Sequence, residues 1–262
     1  WGASSRNGGM ALTGLKVGMA TIIKKYGRDL AKTLFQYSLD SVNTVEQIVK
    51  EENIDCGFER YGHLLTANKP KHYEALKDEV DFMAKEFNHK VRLVSANELK
   101  SEIGSNVYHG ALVDEVSGGL NPAQYVAGLA AAAEKAGAML CARARVNRLE
   151  RGEKRFVIET ERGSLSAKSV LVATSGYTGN VTKKLQKKII PIGSFIIATE
   201  KLSDELANEL SPHNRMIFDY KHFLNYFRLW DNRMIFGGRA AFFPENEKTI
   251  EQSVEILRRE MV

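Results

Sequence analysis

The chain changes rhythm at Gly137, and that change limits its architecture more than any single motif. Before it, Asn121 offers a capping side chain, Pro122 suits a first helical turn, and Gln124 stands three residues past the cap. The predicted helix runs through an Ala-rich stretch and stops at Gly137, where positive φ costs little. After it the period becomes that of strands. Ala138–Cys141, Val146–Leu149, Phe156–Thr160 and Leu165–Ala167 read as short strands, with turns at Gly152 and Gly163. Val170-Leu-Val-Ala173 is apolar on both faces, which predicts a buried parallel strand. It ends in Thr174-Ser-Gly176, small residues at the strand edge where open α/β sheets favour ligands; an ordinary strand-to-turn junction has the same composition.

Upstream, residues 1–20 read as loop, and helical spacing runs through residues 26–52. Cys56–Ala67 reads as a hairpin or a strand. Pro70 opens a helix to about Phe87, and Val91–Val94 is a short strand before a Ser95-x-x-Glu98 capping pattern. Downstream, Ile189–Thr199, Met216–Phe218, Phe223–Leu229 and Met234–Phe236 read as strands, closed by a helix from about Glu247 to Glu260. The order is mixed rather than a regular βαβα repeat. It predicts an α+β fold: part of an α/β nucleotide-binding region interleaved with a mixed-sheet substrate domain.

Composition removes several classes. The 262 residues are 44% apolar and 26% charged, as in ordinary soluble globular proteins, and no apolar run approaches a membrane span. The first residue is Trp1 and no secretory signal opens the chain, so a processed or truncated start is expected. Cys56 and Cys141 lie far apart, with neither metal-ligand nor disulfide spacing, which fits a reducing cytoplasm. The six histidines lack the spacing of a zinc motif, so no metal site is expected. The net charge of +5 admits nucleic acid, but the basic residues are dispersed except for Lys183-Lys184 and Lys187-Lys188, and no nucleic-acid motif is present. A small anionic molecule suits the same charge.

Three segments carry candidate chemistry. Gly2-Ala-Ser-Ser-Arg-Asn-Gly-Gly-Met10 combines flexible backbone with Arg6, which suits a phosphate or a polarised ring carbonyl, and equally a surface loop. In Asn225-Tyr-Phe-Arg-Leu229, side chains alternate, so Tyr226 and Arg228 share a face. An arginine among aromatics needs a partner, either a substrate carboxylate or a structural Asp or Glu. Gly237 and Gly238 allow close backbone approach after a strand. His63, beside Tyr61 and Gly62, is the most plausible active-site histidine, with a structural role as its alternative.

Taken in order, these segments resemble the FAD-dependent oxidoreductases of the D-amino-acid oxidase (DAO) type, and within them the gamma-glutamylputrescine oxidoreductase group. The opening loop is similar to that group's Gly-Ala-Ser-Gly-Arg-Asn-Gly-Gly, with Ser5 in place of a glycine. The likeness continues through Gly118-Gly-Leu-Asn-Pro122, Val146-Asn-Arg-Leu149, Ser169–Gly179, Pro191-Ile-Gly193, Tyr226-Phe-Arg228 and Gly237-Gly-Arg239. The family's Gly-x-Gly-x-x-Gly start and Gly-rich end are not in this sequence, so the resemblance covers the middle of the family's chain.

The resemblance implies FAD as cofactor and a small amine or amino acid as substrate, with no nucleic-acid or membrane partner. It implies that the C–N bond is oxidised to an imine, with oxygen as acceptor and no strongly basic catalytic residue. FAD contacts are expected from Ser5, Arg6, Asn7, Gly8, Gly9, Met10, Val146, Thr174, Gly176 and Gly238, and substrate contacts from Tyr226, Arg228 and His63, with Arg228 or Arg239 on a carboxylate. Residues 1–30 and 115–185 are assigned to the FAD-binding region, 31–114 and 186–262 to the substrate region. The rival expectation is a non-catalytic or truncated homologue that serves as a binding module.

Overall fold

The computed structural model describes residues 2–241 and 246–261, the side chains of 239–241 excepted. In chain order the elements are β1 (Met10–Ala11), α1 (Met19–Tyr26), α2 (Arg28–Glu51), β2 (His63–Thr66), α3 (Pro70–Phe87), β3 (Arg92–Ser95), β4 (Gly110–Asp114), β5 (Gly118–Gly119) and α4 (Pro122–Lys135). There follow β6 (Val146–Arg151), β7 (Phe156–Thr160), β8 (Gly163–Ala167), α5 (Lys183–Gln186), β9 (Gly193–Ala198), α6 (Asp204–Leu210), β10 (Met216–Asp219), β11 (Tyr226–Trp230), β12 (Arg233–Ala241) and α7 (Glu247–Met261). The expected α+β class holds. The chain forms two compact units, one built on the chain up to Ala132, on Ser194–Arg239 and on α7, the other on Ala133–Gly193.

The larger unit is organised by a seven-stranded sheet in the order β3-β4-β2-β10-β11-β12-β9. Strands β2 and β10 run parallel, while β3–β4, β4–β2, β10–β11 and β11–β12 pair antiparallel. One face is apolar and closed: Leu64, Val113, Ile217, Phe227, Leu229 and Phe236 pack with Leu99 and Ile103, Ala207 of α6 and Leu257 of α7. Phe227 and Phe236 stack at 5.5 Å. Each such ring withdrawn from water contributes about 1.5–3 kcal/mol. On the other face α3 covers the β3–β4 side, through Leu76 against Leu112 and Ala67.

The local signals explain the helix limits. Pro70 stands in the first turn of α3, and Asn88 closes it in a left-handed conformation. Asn121 Oδ1 accepts from Ala123 N (3.0 Å) and Gln124 N (3.2 Å), the cap its sequence predicts. The helical stretch expected over 26–52 begins earlier, as two helices that meet at Gly27, where φ is +88° and a straight helix cannot continue. Tyr125 and Leu129 of α4 and Val45, Ile48 and Val49 of α2 pack against the same buried group, Ile54, Cys56 and Leu120.

The smaller unit holds the three-stranded antiparallel sheet β6-β7-β8. Two expected strands are not formed there. Residues 138–141 are coil, and residues 169–174 pair with no strand among the described residues, leaving Leu171 91% exposed. The physical reason is that a strand apolar on both faces gains its stability only from flanking strands and covering layers.

Candidate functional site

The face of the large sheet opposite the closed core carries two rows of side chains, set by strand alternation and register. The first row crosses β4, β2, β10 and β11 as Asp114, His63, Met216 and Arg228. Asp114 pairs His63, His63 pairs Met216, and Arg228 lies one position beyond the Ile217–Phe227 pair. All four are buried. The second row is Leu65, Phe218, Tyr226 and Gly237, joined by the pairs Leu65–Phe218, Phe218–Tyr226 and Tyr226–Gly237. Leu65, Phe218 and Tyr226 are only half-buried.

A two-stranded ribbon lies over the first row. β1 pairs β5 antiparallel, Met10 with Gly119 and Ala11 with Gly118. The glycines make the approach possible. A Cβ at Gly119 would fall 2.6 Å from Met216 Cε and 2.9 Å from Arg228 Nη1. One at Gly9, whose φ is +64°, would meet the Leu120 carbonyl and lie 2.6 Å from Arg228 Nη2. One at Gly8 would lie 2.9 Å from the Tyr226 ring, which also lies close against Gly237.

Arg228 fastens the ribbon to the sheet. Its Nε donates to the Gly8 carbonyl at 2.7 Å and its Nη2 to the Leu120 carbonyl at 2.5 Å. Its guanidinium carbon stands 5.1 Å from the Trp230 ring centroid, a cation–π arrangement. Nη1 is buried without a hydrogen-bond partner among the described residues. Burial pushes the guanidinium down to about 10, partly opposed by Tyr61. The partner expected from sequence was a carboxylate; the structure supplies two backbone carbonyls.

His63 lies beneath the ribbon. It is 7% exposed, and its Nδ1 is 2.8 Å from Ser117 Oγ. Burial pulls its imidazole from 6.5 to about 4, against the opposing charge of Asp114. The folded state thus refuses a proton that the unfolded chain accepts, and stability falls as pH drops through that window. Denaturant midpoints of the wild type are expected to decline from pH 6.5 to pH 4, and those of His63→Gln to decline less over the same range.

The Gly-rich loop is braced from within. Ser5 N and Oγ donate to the Gly2 carbonyl, Asn7 Nδ2 to the carbonyls of Ala3 (2.9 Å) and Ser4 (3.1 Å), and Gly9 N to Asn7 Oδ1 (2.9 Å). Gly8 and Gly9 are buried, Met10 half-buried, and Arg6 and Asn7 exposed. A tight, internally braced loop with an exposed guanidinium fits an anionic group. Gly238 lies on the other face of β12, where a Cβ would meet Asn225 Oδ1 at 2.6 Å and Leu257 at 3.4 Å; by alternation it is Gly237 that shares the face of Tyr226. In the smaller unit, Val146 begins β6, and Thr174 caps the 3-10 turn that contains Gly176. The side chain of Arg239 lies outside the described residues. Asp114, Ser117, His89 and Thr13 carry no sequence signal of a site: Ser117 bonds His63, and Asp114, the register partner of His63, takes His89 and Thr13. Among the described residues no group of three or more His, Cys, Asp or Glu is placed to hold a metal, and no helix is long and apolar enough to cross a membrane.

The fold is shared with solved oxidases. Glycine oxidase from Geobacillus kaustophilus superposes with a TM-score of 0.71 at 16% identity, over 99% of this chain and 67% of that one. L-alpha-glycerophosphate oxidase from Mycoplasma pneumoniae, solved with FAD bound, gives 0.66 at 16% identity, over 98% and 67%. The chain belongs to the DAO family of FAD dependent oxidoreductases, whose pattern matches residues 1–262. It is 31% identical to gamma-glutamylputrescine oxidoreductase of Escherichia coli (strain K12) over 256 residues, 97% of this chain and 60% of that protein. It is 30% identical to a probable oxidoreductase, OrdL, of Haemophilus influenzae, over 100% of this chain and 60% of that protein. The chain thus spans 60% of the length of these curated relatives.

Proposed function

We propose that this chain serves the FAD-dependent oxidation of a C–N bond in a small amine or amino acid to an imine, with oxygen as acceptor. The half-buried row Leu65–Phe218–Tyr226 beside Gly8 carries this reading: it is an apolar and aromatic floor next to a tight polar loop. Bound FAD would supply the acceptor for a hydride from the carbon that bears the nitrogen. Arg6 would hold it through charge, Ser5 and Asn7, whose donors are spent within the loop, would keep the loop's shape, and Gly8 and Gly9 let backbone come close. Tyr226 lies close against both Gly8 and Gly237 and shapes the substrate side. Arg228 positions the loop from below. In this reading residues 1–30 and 115–185 contribute the cofactor side, and 31–114 and 186–262 the substrate side.

The shared length of 60% gives a specific ground for the rival reading, a binding module without turnover. Titration of the purified chain with FAD, followed by absorption in the visible flavin bands and by gel filtration, separates the two. Co-migrating flavin is the expected result. Flavin that elutes wholly free would assign the oxidation to a longer polypeptide.

A further inference from the structure

Five polar side chains lie together under the ribbon and take no part in the chemistry proposed above. Asp114 is 3% exposed, and both its oxygens are occupied. Oδ2 accepts from His89 Nε2 (2.7 Å) and from Thr13 Oγ1 (2.6 Å), and Oδ1 accepts from Val116 N (2.8 Å). Ser117 Oγ accepts from Thr13 N (3.1 Å) and meets His63 Nδ1 at 2.8 Å. Next in sequence, Gly14 N donates to Ser38 Oγ (2.9 Å), whose hydroxyl is in turn fixed on the Phe35 carbonyl at 2.6 Å. His89 stands edge-on to Phe35, ring centroids 5.1 Å apart.

Burial alone would raise the Asp114 carboxyl, but hydrogen bonds from His89 and Thr13 and the proximity of His63 outweigh it and hold the group down, at about 2. A buried carboxylate is costly when any of its partners is removed. The set of donors around Asp114 is therefore demanding, and Thr13 is the one that comes from the segment that leaves β1.

The ribbon needs such a constraint. β1 and β5 share only two residue pairs, extended by one bond from Leu120 N to the Gly9 carbonyl at 2.8 Å, so few backbone contacts define the register. A slip of one residue would carry the Thr13 hydroxyl away from Asp114 and turn Met10 and Ala11 over. Thr13 lies four residues beyond Gly9, so the place of Thr13 fixes the place of the Gly-rich turn. We propose that Asp114, acting through Thr13, is a second positioning residue, which fixes the register of the β1–β5 ribbon from the Thr13 side as Arg228 does from the Gly8 side, and so contributes to the placement of Gly8 and Gly9. Its consequence for cofactor binding rests on the FAD reading above; its consequence for the ribbon does not.

Thr13→Val removes the hydroxyl donor and keeps the shape at a half-buried position, so it tests the link without emptying the core. Two quantities are read: amide hydrogen exchange at Gly8–Ala11, and FAD affinity by flavin fluorescence. The variant should exchange about tenfold faster at Gly8–Ala11 and bind FAD about tenfold more weakly, the size of one charge-assisted hydrogen bond. Exchange in β4 should be unchanged, and Thr13→Ser should restore both readouts. A lower melting temperature with wild-type exchange at Gly8–Ala11 would overturn the proposal and leave the network a purely structural one. If the wild type takes up no FAD, the cofactor reading fails, while the exchange measurement still decides the register claim either way.

Discussion

Replacement of Arg228 by alanine should lower the stability of the chain by about 3–5 kcal/mol, because two buried carbonyls then lose their donor together and a void opens beside them. The carbonyls are those of Gly8 and Leu120, one on each side of the ribbon. Arg228→Lys should recover little of the loss, since an ammonium is a point donor and cannot serve two divergent acceptors as a planar fork does. Equilibrium denaturation of the three proteins measures this directly. An arginine that served chiefly to grip a substrate carboxylate would behave differently: its loss would raise the Michaelis constant and leave the denaturation midpoint in place. The near-complete burial of Arg228, 2% exposed, together with the two carbonyls, favours the first outcome.

Gly9→Ala should be nearly as damaging. At φ +64° an alanine carries a backbone cost of about 1–2 kcal/mol. The added Cβ would also press on the Leu120 carbonyl, on Arg228 Nη2 and on Pro122 Cδ, the last at 3.1 Å. These are the atoms that fasten the ribbon, so relief of the clash and retention of the clamp exclude each other. A loss of about 3 kcal/mol or more is expected, with weaker FAD uptake in the part that remains folded. Gly14→Ala is the matched control. Its φ is also positive, +81°, but no atom lies within 4 Å of the added Cβ, so only the backbone cost applies. Comparable losses in the two variants would show that the ribbon is not tightly seated.

Much of the fold was legible because the local chemistry was explicit. Pro70, Asn121 and Gly137 each set a helix end by a mechanism visible in the residue itself. Strands β6, β7 and β8 followed from period and turn glycines. β4 was not found: its Gly-Ala-Leu-Val-Asp run is buried at every position, so it shows no alternation to read. The strand expected at Val170–Ala173 shows the opposite error, since apolar composition cannot supply neighbours.

The site divides the same way. The shared face of Tyr226 and Arg228 was given by alternation alone. What Arg228 binds was not, because backbone carbonyls 108 and 220 residues distant leave no mark on side-chain composition. Thr13, Asp114 and His89 escaped notice for a similar reason. Each is an ordinary polar residue in its own segment, and only the tertiary fold brings them together: the turn after α3 delivers His89 to Asp114, and the segment after β1 delivers Thr13.

If the half-buried row beside the Gly-rich loop is the substrate side of an FAD site, a substrate laid on it must pass electrons to the flavin. The most direct test is anaerobic mixing of the FAD-loaded chain with gamma-glutamylputrescine and, separately, with simple amines and amino acids, followed by the visible flavin absorption. Bleaching by at least one of them, with colour returning on admission of air and hydrogen peroxide appearing, is the predicted result. Bound flavin that keeps its oxidised spectrum with every such substrate would contradict the account.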